Sequence, residues 1–208
     1  MEHVLDLYHQ PYDPNHPQVC MDETSKQLVS EVAQPIPVEP GHPARFDYEY
    51  ERQGVANLFI LFEPLRGWRT IKVTERRTRR DWALLMKELV DVHYPLAESI
   101  RLVMDNLNTH IAGALYETFE PLEAKRILDK IEFHYTPKHG SWLNMAEIEL
   151  SVLSRQCLDQ RIGDRERLVH EIEAWQKERN DQSHKMDWRF TTADARIKLK
   201  RLYPSIKE

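Results

Sequence analysis

A chain of 208 residues is long enough to bury one core and still carry a helical tail. Hydrophobic residues make up 41% and charged residues 30%, the balance of a globular protein in water, and no run approaches the roughly 20 apolar residues of a membrane span. A formal net charge of −5 excludes a protein that grips DNA over its whole surface, so any nucleic-acid contact must be local.

The N-terminus, Met1 to Tyr8, lacks the basic-then-apolar layout of a secretory signal. Cys20 and Cys157 both lie in apolar segments, as reduced core residues of a cytoplasmic protein do. Residues 1–17 are rich in Pro and His and read as an arm or linker. Gln18 to Asp22 is a short apolar run that ends in an acid, and Glu23 and Thr24 follow as a polar turn. Pro35, Pro37, Pro40, Gly41 and Pro43 mark a loop. Arg45 to Tyr50 alternates aromatic and charged side chains, the period of a half-buried strand. Val55 to Phe62, after Gly54, is a buried strand, and Trp68 to Val73 returns from the turn at 64–67. Together these predict an antiparallel meander.

Arg76, Arg77, Arg79 and Arg80 form the strongest basic cluster and are the candidate DNA-backbone contacts. Lys198, Lys200 and Arg201 form a second cluster. From Arg80 to Tyr94 the period changes: Trp82, Leu85, Met86, Leu89 and Val90 recur at helical spacing, Asp81 suits the helix start, and Pro95 ends it. Ile100 to Met104 is an apolar run that feeds Asp105 and Asn106 directly into a polar turn. Ligands of open α/β sheets sit outside the carboxyl ends of such strands. Helical patterns follow at 111–119 and 121–129, then a strand over 130–135, a break over 136–140, and helices over 142–158, 165–179 and 192–202. The order predicts an α/β fold: a five-stranded mixed sheet with helices on both faces.

In that sheet the strands ending at Asp22 and Asp105 are neighbours, and their acids converge at one edge. Two adjacent buried carboxylates cost several kcal/mol or force a large pKa shift unless a cation compensates. Neither turn supplies an arginine, and Lys26 is the nearest basic residue. A divalent metal resolves the conflict, and an all-oxygen donor set points to Mg²⁺. A third acid is offered by the helix from 142, where Glu147 and Glu149 both flank the apolar stripe of Leu143, Ala146, Leu150, Leu153 and Cys157. With Asn144 as N-cap, Glu147 could instead close a capping box. Spacing does not choose between the two glutamates.

Three segments resemble one family: Cys20-Met21-Asp22-Glu23-Thr24, Met104-Asp105-Asn106-Leu107-Asn108-Thr109-His110, and the stretch Thr136-Pro137-Lys138-His139-Gly140-Ser141-Trp142-Leu143-Asn144-Met145-Ala146-Glu147. They are similar to the DDE transposases of the mariner superfamily, most of all its bacterial insertion-sequence branch. The third segment is the most specific. The resemblance implies a ribonuclease-H-like fold with Asp22, Asp105 and Glu147 as catalytic and metal-ligating acids, which decides against Glu149. It implies an arm over 1–17, a catalytic domain over 18–162 and a helical extension over 163–208 packed on it. Members usually carry N-terminal helix-turn-helix modules. The first strand begins near residue 18, so the expectation is a catalytic domain without them, from a truncated copy or a split reading frame.

The implied chemistry is two-metal phosphoryl transfer: Mg²⁺, or Mn²⁺ as its substitute, with Asp22 bridging two ions, Asp105 completing one and Glu147 the other. Strand cleavage and then strand transfer would use the same site. Asn106 and Asn144 would orient carboxylates, and His110 and His139 would touch phosphate or position a ligand. The implied partners are double-stranded DNA, as element ends and as target, a second copy of the chain, and a separate helix-turn-helix polypeptide. No membrane partner is implied, and the place of action is the bacterial cytoplasm at the nucleoid. The competing readings are a nuclease of the same fold that does not join DNA, and a silent fragment that regulates an intact transposase.

Overall fold

The computed structural model describes residues 1–33, 36–43, 45, 48–107, 110–138 and 140–203. In chain order the elements are α1 (Glu2–Tyr8), β1 (Gln18–Glu31), β2 (Tyr50–Glu63), β3 (Trp68–Thr74), α2 (Arg79–Glu88), β4 (Ile100–Met104), α3 (Ala112–Thr118), α4 (Pro121–Lys130), β5 (Ile131–Tyr135), α5 (Met145–Gln156), α6 (Arg165–Asp181) and α7 (Thr192–Lys198). A π-helical turn, Leu89–His93, continues α2, and 3₁₀ turns occupy Ser141–Leu143 and Lys200–Leu202. No helix among the described residues is long and apolar enough to cross a membrane.

The sheet order is β3-β2-β1-β4-β5. β1, β2 and β3 pair antiparallel, and β4 and β5 extend the sheet in parallel from β1. This is the five-stranded mixed sheet expected from the element order, and the ribonuclease-H-like architecture that the family resemblance implies. Strand alternation divides the core into two layers. Cys20, Ala56, Leu58, Ile60, Phe62 and Val103 face the layer shared with α1, α5 and α6. Val19, Met21, Phe59, Leu61, Leu102 and Met104 face the layer shared with α2, α3 and α4.

Three elements differ from the sequence expectation. β1 does not end at Asp22 but runs on to Glu31, because β2 pairs with it from Cys20↔Phe62 to Glu31↔Tyr50. Its outer half is polar because it is solvated, and polarity concealed it. Of the expected strand over 45–50, residues 46 and 47 lie outside the described residues, Arg45 forms an isolated bridge with Ile36, and Tyr48 is exposed. Regular pairing begins at Tyr50 instead, and Gly54 lies inside β2 rather than before it. Gly54 has φ +109 opposite Leu28, at the register shift between Leu28 and Val29. Third, the stretch read as an arm contains α1, whose Val4, Leu5, Leu7 and Tyr8 are buried. Arg196 of α7 grips Glu2 through two 2.8 Å hydrogen bonds, and the Thr192 hydroxyl donates to Asp6 at 2.6 Å.

Candidate active site

The sheet register brings the first two acids to one place. Parallel pairing of β1 and β4 runs Gln18↔Arg101, Val19↔Leu102, Cys20↔Val103 and then stops. Two residues further on, the strands reach Asp22 and Asp105. Asp22 has the parity of Cys20 and falls on the α5 side of the sheet, and Asp105 follows directly on the end of β4. Asp22 is still held by β2, opposite Ile60, where β1 has left β4. An acid in mid-strand thereby meets an open sheet edge.

The Asp22 carboxylate accepts the Glu23 N–H at 2.7 Å. Burial is the main reason its pKa rises to about 7; that N–H works against the rise, and the charges of Asp105, Glu147 and Glu23 add to it. Among the described residues no lysine or arginine pairs with Asp22, Asp105 or Glu147. The site is short of positive charge.

Asp105 lies just past β4, with its side chain 35% exposed. Its Oδ1 is 2.8 Å from His110 Nδ1, and His110 Nε2 is 3.1 Å from Glu23 Oε2. Burial disfavours the charged imidazole, but hydrogen bonds to Asp105 and Glu23 outweigh it and raise its pKa to about 9. A protonated ring donates from both nitrogens.

The third acid comes from the start of α5. Asn144 caps that helix by accepting the Ala146 N–H at 3.1 Å, and its amide donates to the Met21 carbonyl at 2.8 Å. One buried side chain thus ties the helix N-terminus to the residue before Asp22. Tyr8 adds a second tie, donating to the Leu143 carbonyl at 2.6 Å. Glu147 sits in the first turn and is exposed; its side chain closes no capping box. It shares an open hollow with Asp22, Ser151 and Ser154. Glu149 is fully buried on another side of the helix, where Arg179 donates to both its oxygens at 2.8 and 3.2 Å and Arg69 lies 2.9 Å away. It is spent on holding α5, α6 and β3 together.

The other expected residues divide. Asn106 is exposed and lines the hollow next to Asp105 with Thr136, Lys138 and Ser141; it bonds to none of the acids among the described residues. His139 lies outside the described residues. Arg77 faces Glu23 at 3.4 Å and Arg79 faces Glu117 at 2.8 Å, while Arg76 and Arg80 are exposed without an ionic partner among the described residues. Glu23 and Arg77 are the participants that the sequence did not single out as such. Glu23 was hidden because a strand ending at Asp22 makes it a turn residue.

The donor set fits a hard divalent cation: carboxylates only, one of them destabilised by burial and, less, by its neighbours' charge. Among the described residues, no three His, Cys, Asp or Glu are drawn together tightly enough to hold an ion as they stand. Asp105 has one oxygen, Oδ1, engaged by His110.

A family model described as DDE superfamily endonuclease matches residues 17–169. The chain belongs to the DDE superfamily endonucleases. The three motif segments all fall inside that match. Solved structures with the same fold include the Mos1 mariner paired-end complex with Mn, at 19% identity and TM-score 0.58 over 88% of this chain and 54% of that one. The Mos1 transposase paired-end complex with left transposon end follows at 18% identity and TM-score 0.54, over 81% and 51% of the two chains. The pre-cleavage Mos1 transpososome has 17% identity and TM-score 0.53, over 88% and 59%. This DDE endonuclease therefore spans just over half the length of those chains. No curated protein matches it.

Proposed function

We propose that this DDE endonuclease is the catalytic domain of a transposase, which cuts DNA strands and transfers the resulting ends by metal-dependent phosphoryl transfer. One observation carries the reading: Asp22 and Glu147 line one open hollow with Asp105 close enough that, after burial, both acids' charges help to raise the pKa of Asp22 to about 7. Acids from a central strand, a neighbouring strand end and a helix start influence one another; among the described residues Asp105 is partnered by His110, while Asp22 and Glu147 have no cationic partner. Such a cluster is costly unless it has work to do.

Asp22, Asp105 and Glu147 would hold the ions, Asp22 serving both, Asp105 one and Glu147 the other. Mg²⁺, with Mn²⁺ as substitute, suits the carboxylates. When bound, two such ions activate the attacking oxygen and stabilise the leaving one. Asn144 fixes the distance between the Asp22 strand and the Glu147 helix. Arg76 and Arg80 contact the phosphate backbone. The substrate is double-stranded DNA, as element end and as target. A dimer on DNA, and end recognition by helix-turn-helix modules or a polypeptide that carries them, complete the reading. Residues 18–162 act as the catalytic domain and 163–208 as its packed extension. The site of action is the cytoplasm, at the nucleoid.

The test supplies Mn²⁺ with supercoiled plasmid, and separately a pre-cut duplex with a free 3′-hydroxyl and a target plasmid. Nicking and joining are expected, both lost in Asp22→Ala, Asp105→Ala and Glu147→Ala without a fall in melting temperature. Glu149→Gln is expected to cost about 3–5 kcal/mol of stability by leaving buried arginines unbalanced, yet to retain nicking in its folded fraction. Nicking without joining would reduce the protein to a nuclease. Nicking that survives Glu147→Ala but vanishes with folded Glu149→Gln would remove Glu147 from the site.

A further inference from the structure

Because β1 runs past Asp22, Glu23 faces the opposite side of the sheet, beneath the loop that follows β4. Its carboxylate is almost completely buried, at 5% exposure, and both oxygens are engaged. Oε2 lies 3.1 Å from His110 Nε2, and Oε1 lies 3.4 Å from Arg77 Nε. The His110 ring is 1% exposed and stacks on Trp82 with centroids 6.0 Å apart. Its backbone is pinned as well: the N–H donates to the Leu107 carbonyl at 2.9 Å, and its carbonyl accepts from the Tyr135 hydroxyl at 3.4 Å. The ring therefore has one orientation, and its Nδ1 holds Asp105 Oδ1 at 2.8 Å. Asp105 itself lies beyond the last paired residue of β4 and is a third exposed, so the ladder does not orient its carboxylate.

From this geometry we propose that Glu23 is a positioning residue for Asp105, acting through His110. The strand that carries Asp22 also carries, one residue later and on its other face, the anchor that fixes the neighbouring acid. Arg77 closes the chain at its outer end, which joins the basic segment over 76–80 to the acid cluster. Hydrogen-bonded partners of a ligand fix its direction, and their loss typically lowers metal affinity about 10–100-fold. The inference rests on the reading of Asp105 as a metal ligand.

The test titrates the full chain with Mn²⁺ by calorimetry and by electron paramagnetic resonance, with thermal melts as a fold control. Asp105→Ala is expected to lose a Mn²⁺ site. Glu23→Gln and His110→Ala are each expected to weaken Mn²⁺ about tenfold. His110→Asn places an amide N–H near the position of Nδ1 and is expected to recover part of the loss seen in His110→Ala. Glu23→Gln combined with His110→Ala is expected to be no worse than His110→Ala alone, because one relay is cut twice. Unchanged affinity in folded Glu23→Gln, with the site lost in Asp105→Ala, overturns the relay and leaves the ligand assignment standing. Additive losses in the double variant overturn action through His110. Unchanged affinity in Asp105→Ala overturns both. Should Glu23→Gln unfold, the comparison of His110→Ala with His110→Asn decides, and equal affinities there overturn the proposal.

Discussion

At position 22 the folded state holds a charge it would be more stable without. The carboxyl titrates near 7 in the fold against an ordinary value of 3.8. The native state therefore binds this proton more tightly than the unfolded chain, and stability falls as pH rises between those two values. Asp22→Asn removes the penalty. In EDTA it is expected to raise the unfolding free energy by about 1–3 kcal/mol at about pH 8, with the gain shrinking as pH falls toward about 4. Urea unfolding at several pH values checks this; a destabilised Asn variant at high pH would mean the carboxylate is satisfied as it stands. The same physics separates the two glutamates of α5. Glu149 has arginine partners and no solvent, whereas Glu147 has solvent and no cationic partner among the described residues. One is a buried brace, and the other is free to take a ligand.

At the level of elements, α1 and α5 are joined beneath the acids. Tyr8 reaches the Leu143 carbonyl, and Asn144 reaches the Met21 carbonyl. The helix that begins the chain is therefore part of the floor on which Glu147 stands. Leu5 is fully buried there. Leu5→Ala is expected to cost about 2–5 kcal/mol in chemical denaturation, the range for an emptied core site. A cost within about 0.5 kcal/mol, typical of surface positions, would show that α1 rides on the surface. The apolar stripe of α5 and the period of α2 were readable because burial on one face imposes a helical repeat. The Pro and His content of residues 1–17 masked α1, whose buried positions depend on what α7 and the sheet present to it. The outer half of β1 was masked for the opposite reason: β2 holds it by backbone hydrogen bonds, which leave little trace in side-chain polarity.

For the whole molecule, charge is arranged rather than accumulated. A net charge of −5 coexists with an exposed basic segment over 76–80. Arg76 and Arg80 have no ionic partner among the described residues, which leaves them available to phosphates. Replacing both with Ala is expected to lower the slope of log affinity against log salt by about 2, at roughly 0.9 per phosphate contact released. Fluorescence anisotropy of a labelled duplex across a salt series measures it, and an unchanged slope would place the DNA path elsewhere.

The strand and helix periods, the polar turns and the three motif segments all reside in local order along the chain, so the α/β class, the strand count and the three candidate acids could be read from it. What one chain of letters could not decide was which side each acid faces and what it meets. Those answers depend on register: β1 outlasting β4 opens the edge at Asp22, the next residue turns to His110, and a step of two residues along α5 consigns Glu149 to Arg69 and Arg179. Local sequence records propensity, whereas the environment of a charge is made by residues distant along the chain, 87 positions apart for Glu23 and His110 and 30 for Glu149 and Arg179.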